Sequence, residues 1–491
     1  MAVHSDNFEQ IQIANEPDFA NLGNSENGAP STGGLTFAGV CVANPQVRVD
    51  YLTAENNSAR NRAYKHANVL LTSRGSVEAE VYVRGNGAPE GAFDDPTYKI
   101  LGQYFSTYED LLREDTVDDA TVSTLDVVDA VESGWTVGKG FYLNLPGRKH
   151  FVGFVTSIED NVSPAADVIT FDPPMSTQEL SAAQAAIAAG TLVMRGGRTY
   201  GLGESYGANL SLSMLGIKRA YATLVQGCRG STLDARFETG QPGVFACSLT
   251  GAHSSQGGLL PTTEVDTWDD PTHCTVTLGG GANLHVGQFG TVTSGGTTYV
   301  VQIAEVNGDD IVLEDAGLPA GIIADNPEPS LVALRPGATA EPAGKWLVYL
   351  NGKASVDGTA LHVRNMMWNI NMDPQMPQTP NNLTGAMDII ATAPMITVSV
   401  EQSEFNDTAL AAFRAGDSVS VLSMLSNGTE GNVVAMYSPA MHYSDVPQAG
   451  SADGLITMPL TFTAALYEGD DGDYDYGSTL VDTPLRLFIG W

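Results

Sequence analysis

A nucleophile motif is the first place where this chain could perform chemistry. Gly203-Glu-Ser-Tyr-Gly207 matches the G-x-S-x-G pattern, which in α/β-hydrolases exposes a serine on a strained turn between a strand and a helix. The residues that follow, Ala208 to Met214, alternate polar and apolar side chains and predict a strand where that helix should begin. We therefore expect Ser205 to have no catalytic role. The sequence offers no other catalytic residue and favours a protein that is not an enzyme.

An acidic run and a His–Cys pair are the candidate metal ligands. The run Asp470-Asp-Gly-Asp-Tyr-Asp475 has carboxylates at alternate positions, but Tyr476 stands where the calcium loop of an EF-hand requires glycine. We interpret the run as a solvated acidic loop, with calcium binding as the alternative. His273 and Cys274 are adjacent, yet two ligands do not make a structural zinc site. We predict no metal and no cofactor.

Composition argues against several classes of function. The 491 residues include 23 Lys and Arg against 57 Asp and Glu, a formal charge of -34, so we do not expect binding of nucleic acid through a basic face. The cysteines, Cys41, Cys228, Cys247 and Cys274, show no C-x-x-C spacing, which argues against a disulfide framework or a zinc knuckle. No signal-peptide pattern and no apolar run of about 18 residues is visible. These features predict folding in a reducing cytoplasm and no membrane span.

The chain contains one β-rich order of elements twice. Each half has an early strand or hairpin, an alternating strand, a short amphipathic helix and a final strand. These lie at 46–52, 77–83, 96–105 and 244–249 in the first half, and at 361–390, 396–400, 408–415 and 455–463 in the second. We predict a mainly β fold with two related β-sandwich units, each with a short packed helix.

Two smaller segments also share an order of elements, three short strands with turns between them, and predict two small β-barrel-like inserted modules. The first carries a helix that a capping box opens, Ser176 with Glu179, and Gly190 closes. Insertions are tolerated on free surfaces, so we expect both modules to project outward. The predicted domains are a flexible N-terminal arm (1–34), unit one (35–116 and 198–255), module one (117–197), module two (265–337) and unit two (341–491).

One stretch, from Ala220 to Gly251, resembles the tail tube proteins of long-tailed phages. In that family a strand with a Gly-Cys/Ala-Arg-Gly turn leads into Gly-x-Pro-Gly and a final Phe-x-x-x-Leu-Thr-Gly strand. This chain has Gly227-Cys-Arg-Gly230, Gly240-Gln-Pro-Gly243 and Phe245-Ala-Cys-Ser-Leu-Thr-Gly251. Unit two is similar through residues 385–390, the helix near Phe413 and the strand that ends at Thr463. The resemblance leaves the two modules and the N-terminal arm outside.

The resemblance implies a structural subunit of a viral tail. Subunits of that family form stacked rings whose sheets close into one β-barrel around a lumen, through which viral DNA passes without specific binding. Two units in one chain favour a trimer with pseudo-sixfold symmetry over a hexamer. The implied partners are further copies of the chain and other tail proteins, and the implied location is the virion tail, assembled in the host cytoplasm. Carboxylates that face the lumen would repel DNA within a screening length of about 8–10 Å.

The hairpin at 361–390 is the candidate contact between rings. Its apolar flanks, left in water, would form an adhesive patch, and its prolines cannot donate to a sheet ladder, so its tip is predicted to lie on a neighbouring ring. An ordinary surface loop is the alternative. The candidate residues are Trp368, Ile370, Met372, Pro374, Pro377 and Pro380.

Two other functional classes remain open. One is a different virion component, such as a decoration protein or a distal tail component. The other is a β-rich protein that binds or hydrolyses carbohydrate, which requires clustered aromatic residues beside paired carboxylates. Trp346, Tyr349 and Trp368 are predicted to lie on strands, where aromatic residues more often fill a core. The sequence therefore favours the tail tube.

Overall fold

The fold is mainly β, as predicted. The computed structural model describes residues 10–17, 20, 35, 37–40, 43–54, 69–85, 96–131, 133–147, 149–161, 166–203, 211–218, 220–314, 318–324, 329–334, 346–349, 352–377, 388–392, 394–402, 407–446, 450–452, 455–470 and 478–491. The α-helices among these residues are α1 (Pro96–Leu101), α2 (Thr177–Ala188) and α3 (Asp407–Ala415). Strands form most of the rest, including one closed six-stranded barrel.

The strands run through the whole described chain. The first group is β1 (Gln10–Asn15), β2 (Ala38–Val40), β3 (Ala43–Ala54), β4 (Val69–Tyr82), β5 (Thr107–Asp110), β6 (Glu114–Ala120), β7 (Thr124–Val127), β8 (Gly140–Leu145), β9 (Lys149–Glu159), β10 (Asp167–Asp172) and β11 (Val193–Arg195). The second is β12 (Gly197–Gly201), β13 (Leu212–Ile217), β14 (Tyr221–Glu238), β15 (Val244–Gly251), β16 (His253–Gly258), β17 (Val265–Asp270), β18 (His273–Val276), β19 (Phe289–Ser294), β20 (Thr297–Asn307), β21 (Asp310–Leu313) and β22 (Val332–Ala333). The third is β23 (Lys353–Val356), β24 (Thr359–Leu361), β25 (Val363–Asn371), β26 (Pro374–Gln375), β27 (Ile390–Ala391), β28 (Met395–Gln402), β29 (Val419–Ser426), β30 (Val433–Tyr443), β31 (Gly450–Ala452), β32 (Leu455–Ala464) and β33 (Arg486–Gly490).

Seven strands from the two units form one antiparallel sheet, which we call the shared sheet. Its order is β3-β4-β15-β14-β25-β28-β32. The first four strands belong to unit one and the last three to unit two. The units meet where residues 232–238 of β14 pair with residues 365–371 of β25. One chain thus joins two units edge to edge.

The two units repeat one topology. The shared sheet contains β3-β4-β15-β14 in unit one. The corresponding segments of unit two, in the same order, are β25, β28, β32 and the end of β30. A helix follows the second hairpin strand in each unit, α1 after β4 and α3 after β28. The long strand then continues into a second sheet, in which β14 pairs with β13 and β16, and β30 pairs with β29 and β33.

A shared β-bulge aligns the units residue by residue. In unit one Leu212 pairs with Cys228, whereas Met214 pairs with Val225, so β14 carries one extra residue. In unit two the same irregularity recurs, because Val419 pairs with Met441 and Val421 pairs with Ser438. Bulges are local, specific features of a strand pair. The bulge therefore makes Cys228 the equivalent of Met441.

The main core lies between the shared sheet and the second sheets. Alternate residues of the shared sheet point into it, among them Val77, Leu249 and Trp368, all at most 1% exposed. Trp368 also donates a hydrogen bond from Nε1 to Ser423 Oγ at 2.8 Å. Tyr349 is buried too, whereas Trp346 is 52% exposed. The expectation that the strand aromatics fill a core is thus confirmed for two of the three and wrong for Trp346.

Both modules have the same strand order. Module one is the closed barrel β6-β7-β10-β9-β8-β11, and module two is the open sheet β17-β18-β21-β20-β19-β22. In each, a glycine with positive φ precedes the third strand and its amide donates to the fourth strand, from Gly138 to Val155 O and from Gly287 to Ile303 O, both at 2.8 Å. The predicted helix and capping box of module one are confirmed.

Part of the N-terminal segment is a strand, so the predicted flexible arm is wrong for residues 10–17. β1 pairs with β13 and with β2. Directly after it, the fully buried carboxylate of Glu16 accepts hydrogen bonds from Ser213 Oγ at 2.6 Å, from the Gly227 amide at 2.9 Å and from Ser211 Oγ. Burial raises the pKa of Glu16. Apart from Ala20, the rest of 1–34 lies outside the described residues.

Candidate functional site

The open face of the shared sheet is the candidate functional surface. Strand side chains alternate between faces, and this alternation separates an apolar side from a polar side on every strand. In β4, Val77 and Val81 enter the core while Glu78 and Glu80 point the other way, and in β28 Val398 is buried while Ser399 is exposed. Because the apolar side is covered by the second sheets, only the polar side is accessible.

Neutral polar side chains form most of this open face. They are half-buried or exposed hydroxyl and amide groups on both sides of the junction between the units, where Met367 and Met395 are exposed apolar side chains on the same face. The neutral polar residues are Ser76, Thr232, Ser248, Thr250, Asn365, Asn369, Asn371, Thr397, Ser399, Thr457, Thr461 and Thr463. At the junction itself, Asn369 Nδ2 donates to Asp234 Oδ1 at 2.6 Å.

Charges on and beside the open face occur mostly as ion pairs. Arg48 lies 3.8 Å from Glu78. Arg236 contacts two carboxylates, Asp234 at 3.3 Å and Glu80 at 3.6 Å. At the edge of the face, Arg364 lies 3.9 Å from Glu401. The face is therefore mainly neutral and hydroxyl-rich.

The open face repeats from one unit to the other. Positions in the two units can be matched by counting from the shared bulge along β14 and β30 and then across the strand registers. Glu80 is then the equivalent of Glu401, and Ser76 is the equivalent of Thr397. Ser248 and Thr250 likewise match Thr461 and Thr463. A carboxylate and three hydroxyl groups thus occupy the same places in both units, although the rest of the two faces differs in sequence.

Both unit hairpins point the same way. β4 and β28 run in the same direction in the shared sheet, because an even number of antiparallel steps separates them. The β3–β4 turn and the β25–β28 turn therefore leave the sheet at the same end. The first turn, 55–68, lies outside the described residues.

The candidate ring contact in the second hairpin needs a correction. Trp368, Ile370 and Met372 are fully buried in the chain's own core, so they cannot form the exposed adhesive patch that the sequence suggested. Pro374 belongs to β26, which pairs with β27, and Pro377 is exposed. Pro380 lies outside the described residues. Contact between this hairpin and a neighbouring ring stays a prediction, but the apolar flanks no longer support it because they are buried in the chain's own core.

Module one covers the far side of unit two, opposite the open face, although the chain inserts it into unit one. Phe154 stacks on Tyr437 with ring centroids 4.6 Å apart. Tyr142 Oη donates to Trp491 O at 2.7 Å, and Lys353 of unit two pairs with Glu179 at 2.7 Å. The buried apolar cluster at this contact contains Tyr142, Val152, Phe154, Leu422, Met424, Val433, Ala435, Tyr437 and Phe488.

Module two covers unit one in the same manner. Phe289 and Val300, on its third and fourth strands, pack against Leu215 and Leu224 of unit one. Each module therefore presents the same pair of strands to the second sheet of a unit. Both lie on the side of the units away from the open face. They are not free insertions, however, because each buries apolar surface on a unit.

The other sequence candidates give no site. Ser205 and residues 471–477 lie outside the described residues. Asp470 is not solvated as expected, since it is buried and pairs with Arg486. His273 is half exposed beside Asp270, and Cys274 is buried. In the described part of the chain, no three His, Cys, Asp or Glu side chains are grouped so as to hold a metal ion.

No protein-family model matches the chain, and no curated protein matches it either. Among the described residues, no helix has the length and apolar character needed to cross a membrane.

Proposed function

We propose that this chain is a structural subunit of a phage tail tube, in which three copies form a ring and rings stack around a lumen. The junction of β14 with β25 carries the proposal. It fuses two units of one topology into a single sheet within one chain, which is one-third of a pseudo-sixfold barrel. Edge strands that remain open invite further pairing, and ring closure removes them.

The open face supports the same proposal as the lining of the lumen. Guanidinium groups free to bind phosphates would hold passing DNA, whereas Arg48, Arg236 and Arg364 each have a carboxylate within 4 Å. Hydroxyl and amide groups hydrogen-bond to water and offer no fixed charge. The two hairpins leave the sheet at one end, as stacking of identical rings requires.

Electron microscopy of the purified chain at high concentration tests the proposal. We expect hollow tubes whose averaged cross-sections have true threefold and approximate sixfold symmetry. Compact monomers at all concentrations would refute the tube. A ring of six whole chains would refute the trimer, and isolated rings that never stack would favour another virion component.

A further inference from the structure

The two outer edges of the shared sheet differ from its internal junction in one respect, the absence of a partner. Among the described residues, β3 pairs only with β4, and β31 pairs only with β32. The internal junction consists of equivalent segments, β25 for β3 and the second half of β14 for the segment that follows β30, of which residues 444–446 are described and form no strand in the single chain. The internal junction therefore shows how the equivalent edges of two chains can pair.

The register of that example transfers to the edges through the shared bulge. Leu233 lies five residues after Cys228, and Val446 lies five residues after Met441. On the other side, Val49 is the equivalent of Ile370, because Val49 pairs with Gly75 as Ile370 pairs with Ile396. Leu233 and Ile370 are directly opposite each other in the internal junction.

Exposure supports this equivalence. Leu233 and Ile370, which lie opposite each other and belong to the main core, are both fully buried, whereas Val446 is 49% exposed. Val446 stands within a polar stretch, Ser444-Asp445-Val446, where an apolar side chain has no covering group of its own unit. The position that is buried inside the chain is thus open at its edge.

We infer that the partner of this edge is β3 of a second copy of the chain, with Val446 directly opposite Val49 in an antiparallel pair. This inference rests on the proposed tube and gives its chain-to-chain contact a direction and a register. Arg48 then lies diagonally across the contact from Asp445 and can reach its carboxylate. Arg48 is 58% exposed in the single chain, so it is accessible for this role.

Cysteine cross-linking tests the register. In a Cys41→Ser background, Val49→Cys with Val446→Cys should give covalent trimers in oxidised tubes, because opposite Cβ atoms lie within about 5 Å in such pairs. The matched control, Arg48→Cys with Val446→Cys, is displaced by one residue and places its side chains on opposite faces, so it should cross-link poorly. Tubes in which the control cross-links better, or neither pair does, overturn the register and leave the tube intact. A chain that never assembles overturns both.

A charge exchange between exposed residues provides a second test that does not depend on cysteine geometry. Arg48→Asp should lower the assembled fraction about tenfold or more, since the new carboxylate then meets that of Asp445 at the contact. Asp445→Arg in the same chain should restore assembly, while circular dichroism of both variants stays native. Full assembly of Arg48→Asp alone, or no rescue by the second change, contradicts the inference.

Discussion

The two halves of this chain use the same parts in different connections. Each half is a sandwich unit with a six-stranded module on its far side. The modules share their strand order, the positive-φ glycine before the third strand, and the use of the third and fourth strands to pack on a unit. Module two covers the unit that precedes it in the chain. Module one, by contrast, is inserted into unit one and packs on unit two, so it ties the two units together. The internal junction is therefore held by both a strand pair and a module.

The modules also differ in closure. In module one, β11 pairs with both β6 and β8 and closes the barrel. In the described part of module two, the two-residue β22 pairs only with β19, and the segment before β17 meets the segment before β22 through the single bridge of Thr263 with Leu331. A short final strand thus leaves the same topology open. Closure depends on the length of one strand and not on strand order.

Removal of the main aromatic contact of module one should have the largest effect. Phe154→Ala leaves a cavity beside Tyr437 and Phe488 and should lower the free energy of unfolding by about 3–5 kcal/mol. The equivalent residue in module two is Gln302, and Gln302→Ala should cost only about 1–2 kcal/mol. Chemical denaturation of both variants measures the difference. Equal losses would mean that module one packs on unit two no more strongly than module two packs on unit one.

The positive-φ glycines that precede the third strand of each module provide a matched pair of smaller changes. Gly138 and Gly287 have φ of 92° and 84°, so alanine costs roughly 1–2 kcal/mol of backbone strain at either position. A Cβ at Gly138 would also meet Leu480 Cβ at 2.6 Å, whereas at Gly287 its nearest neighbour is Gln302 Nε2 at 3.9 Å. Gly138→Ala should therefore be the more destabilising in thermal unfolding. A larger loss of thermal stability for Gly287→Ala would show that Leu480 moves away from the added Cβ at little cost.

Acid should weaken the packing of module one on unit two. Burial lowers the pKa of His150 from 6.5 to about 4, and its Nδ1 lies in hydrogen-bond contact with Ser426 Oγ of unit two. The unfolded chain then binds a proton before the folded one does, so stability falls as pH drops from 6.5 towards 4. Thr298 occupies the matching place in module two.

Hydrogen exchange of β8 and β9 between pH 7 and pH 4 measures this acid effect. His150→Asn should flatten the pH dependence in module one and leave the strands of module two unchanged. If the wild-type dependence persists in the variant, another group governs it. Glu179 is the first such candidate: although burial opposes the shift, its ion pair with Lys353 of unit two lowers its pKa, so its contribution to stability is lost as pH falls below its ordinary value of 4.5.

The smallest expected effect on stability comes from the repeated carboxylates of the open face. Glu80→Gln with Glu401→Gln should change the free energy of unfolding by less than about 1 kcal/mol per site, as partly exposed ion pairs contribute little. Each change removes one carboxylate beside an arginine, Glu80 beside Arg236 and Glu401 beside Arg364, so the face becomes less acidic and tubes of the variant should retain more labelled DNA on sedimentation at low salt. Asp118→Asn with Asp269→Asn, on the module surfaces, is the control. Equal retention in the two variants would contradict a lumen role for the face.

Local patterns predicted much of the fold. The alternation in β4 and β28 indicated strands with one buried face, and the structure confirms both. Ser176, Glu179 and Gly190 bracket α2 as the capping rules require. The modules were recognised from three strands each, and their first strands were missed. A clear signal was present there, since Asp115-Thr-Val-Asp-Asp119 in β6 matches Asp266-Thr-Trp-Asp-Asp270 in β17.

The errors share a physical cause. Met366, Trp368 and Ile370 were treated as a hairpin surface because an apolar strand face has the same sequence whether another sheet or a neighbouring ring covers it. β1 was assigned to a flexible arm because a six-residue strand between two others needs no turn or cap signal. Asp470 belongs to an acidic run, and only the fold places Arg486 beside it. In each case the partner is distant in sequence.

The sequence by itself determined the class of the fold, the two units and the positions of the helices, because these follow from periodicity and turn residues within a few positions of each other. The tertiary structure alone decided which strands became neighbours. It joined β14 to β25, placed module one on the unit that does not contain it, and matched each arginine of the open face with a carboxylate. The first two pairings connect residues more than a hundred positions apart, and the energy of all three depends on shape and burial that no local pattern encodes.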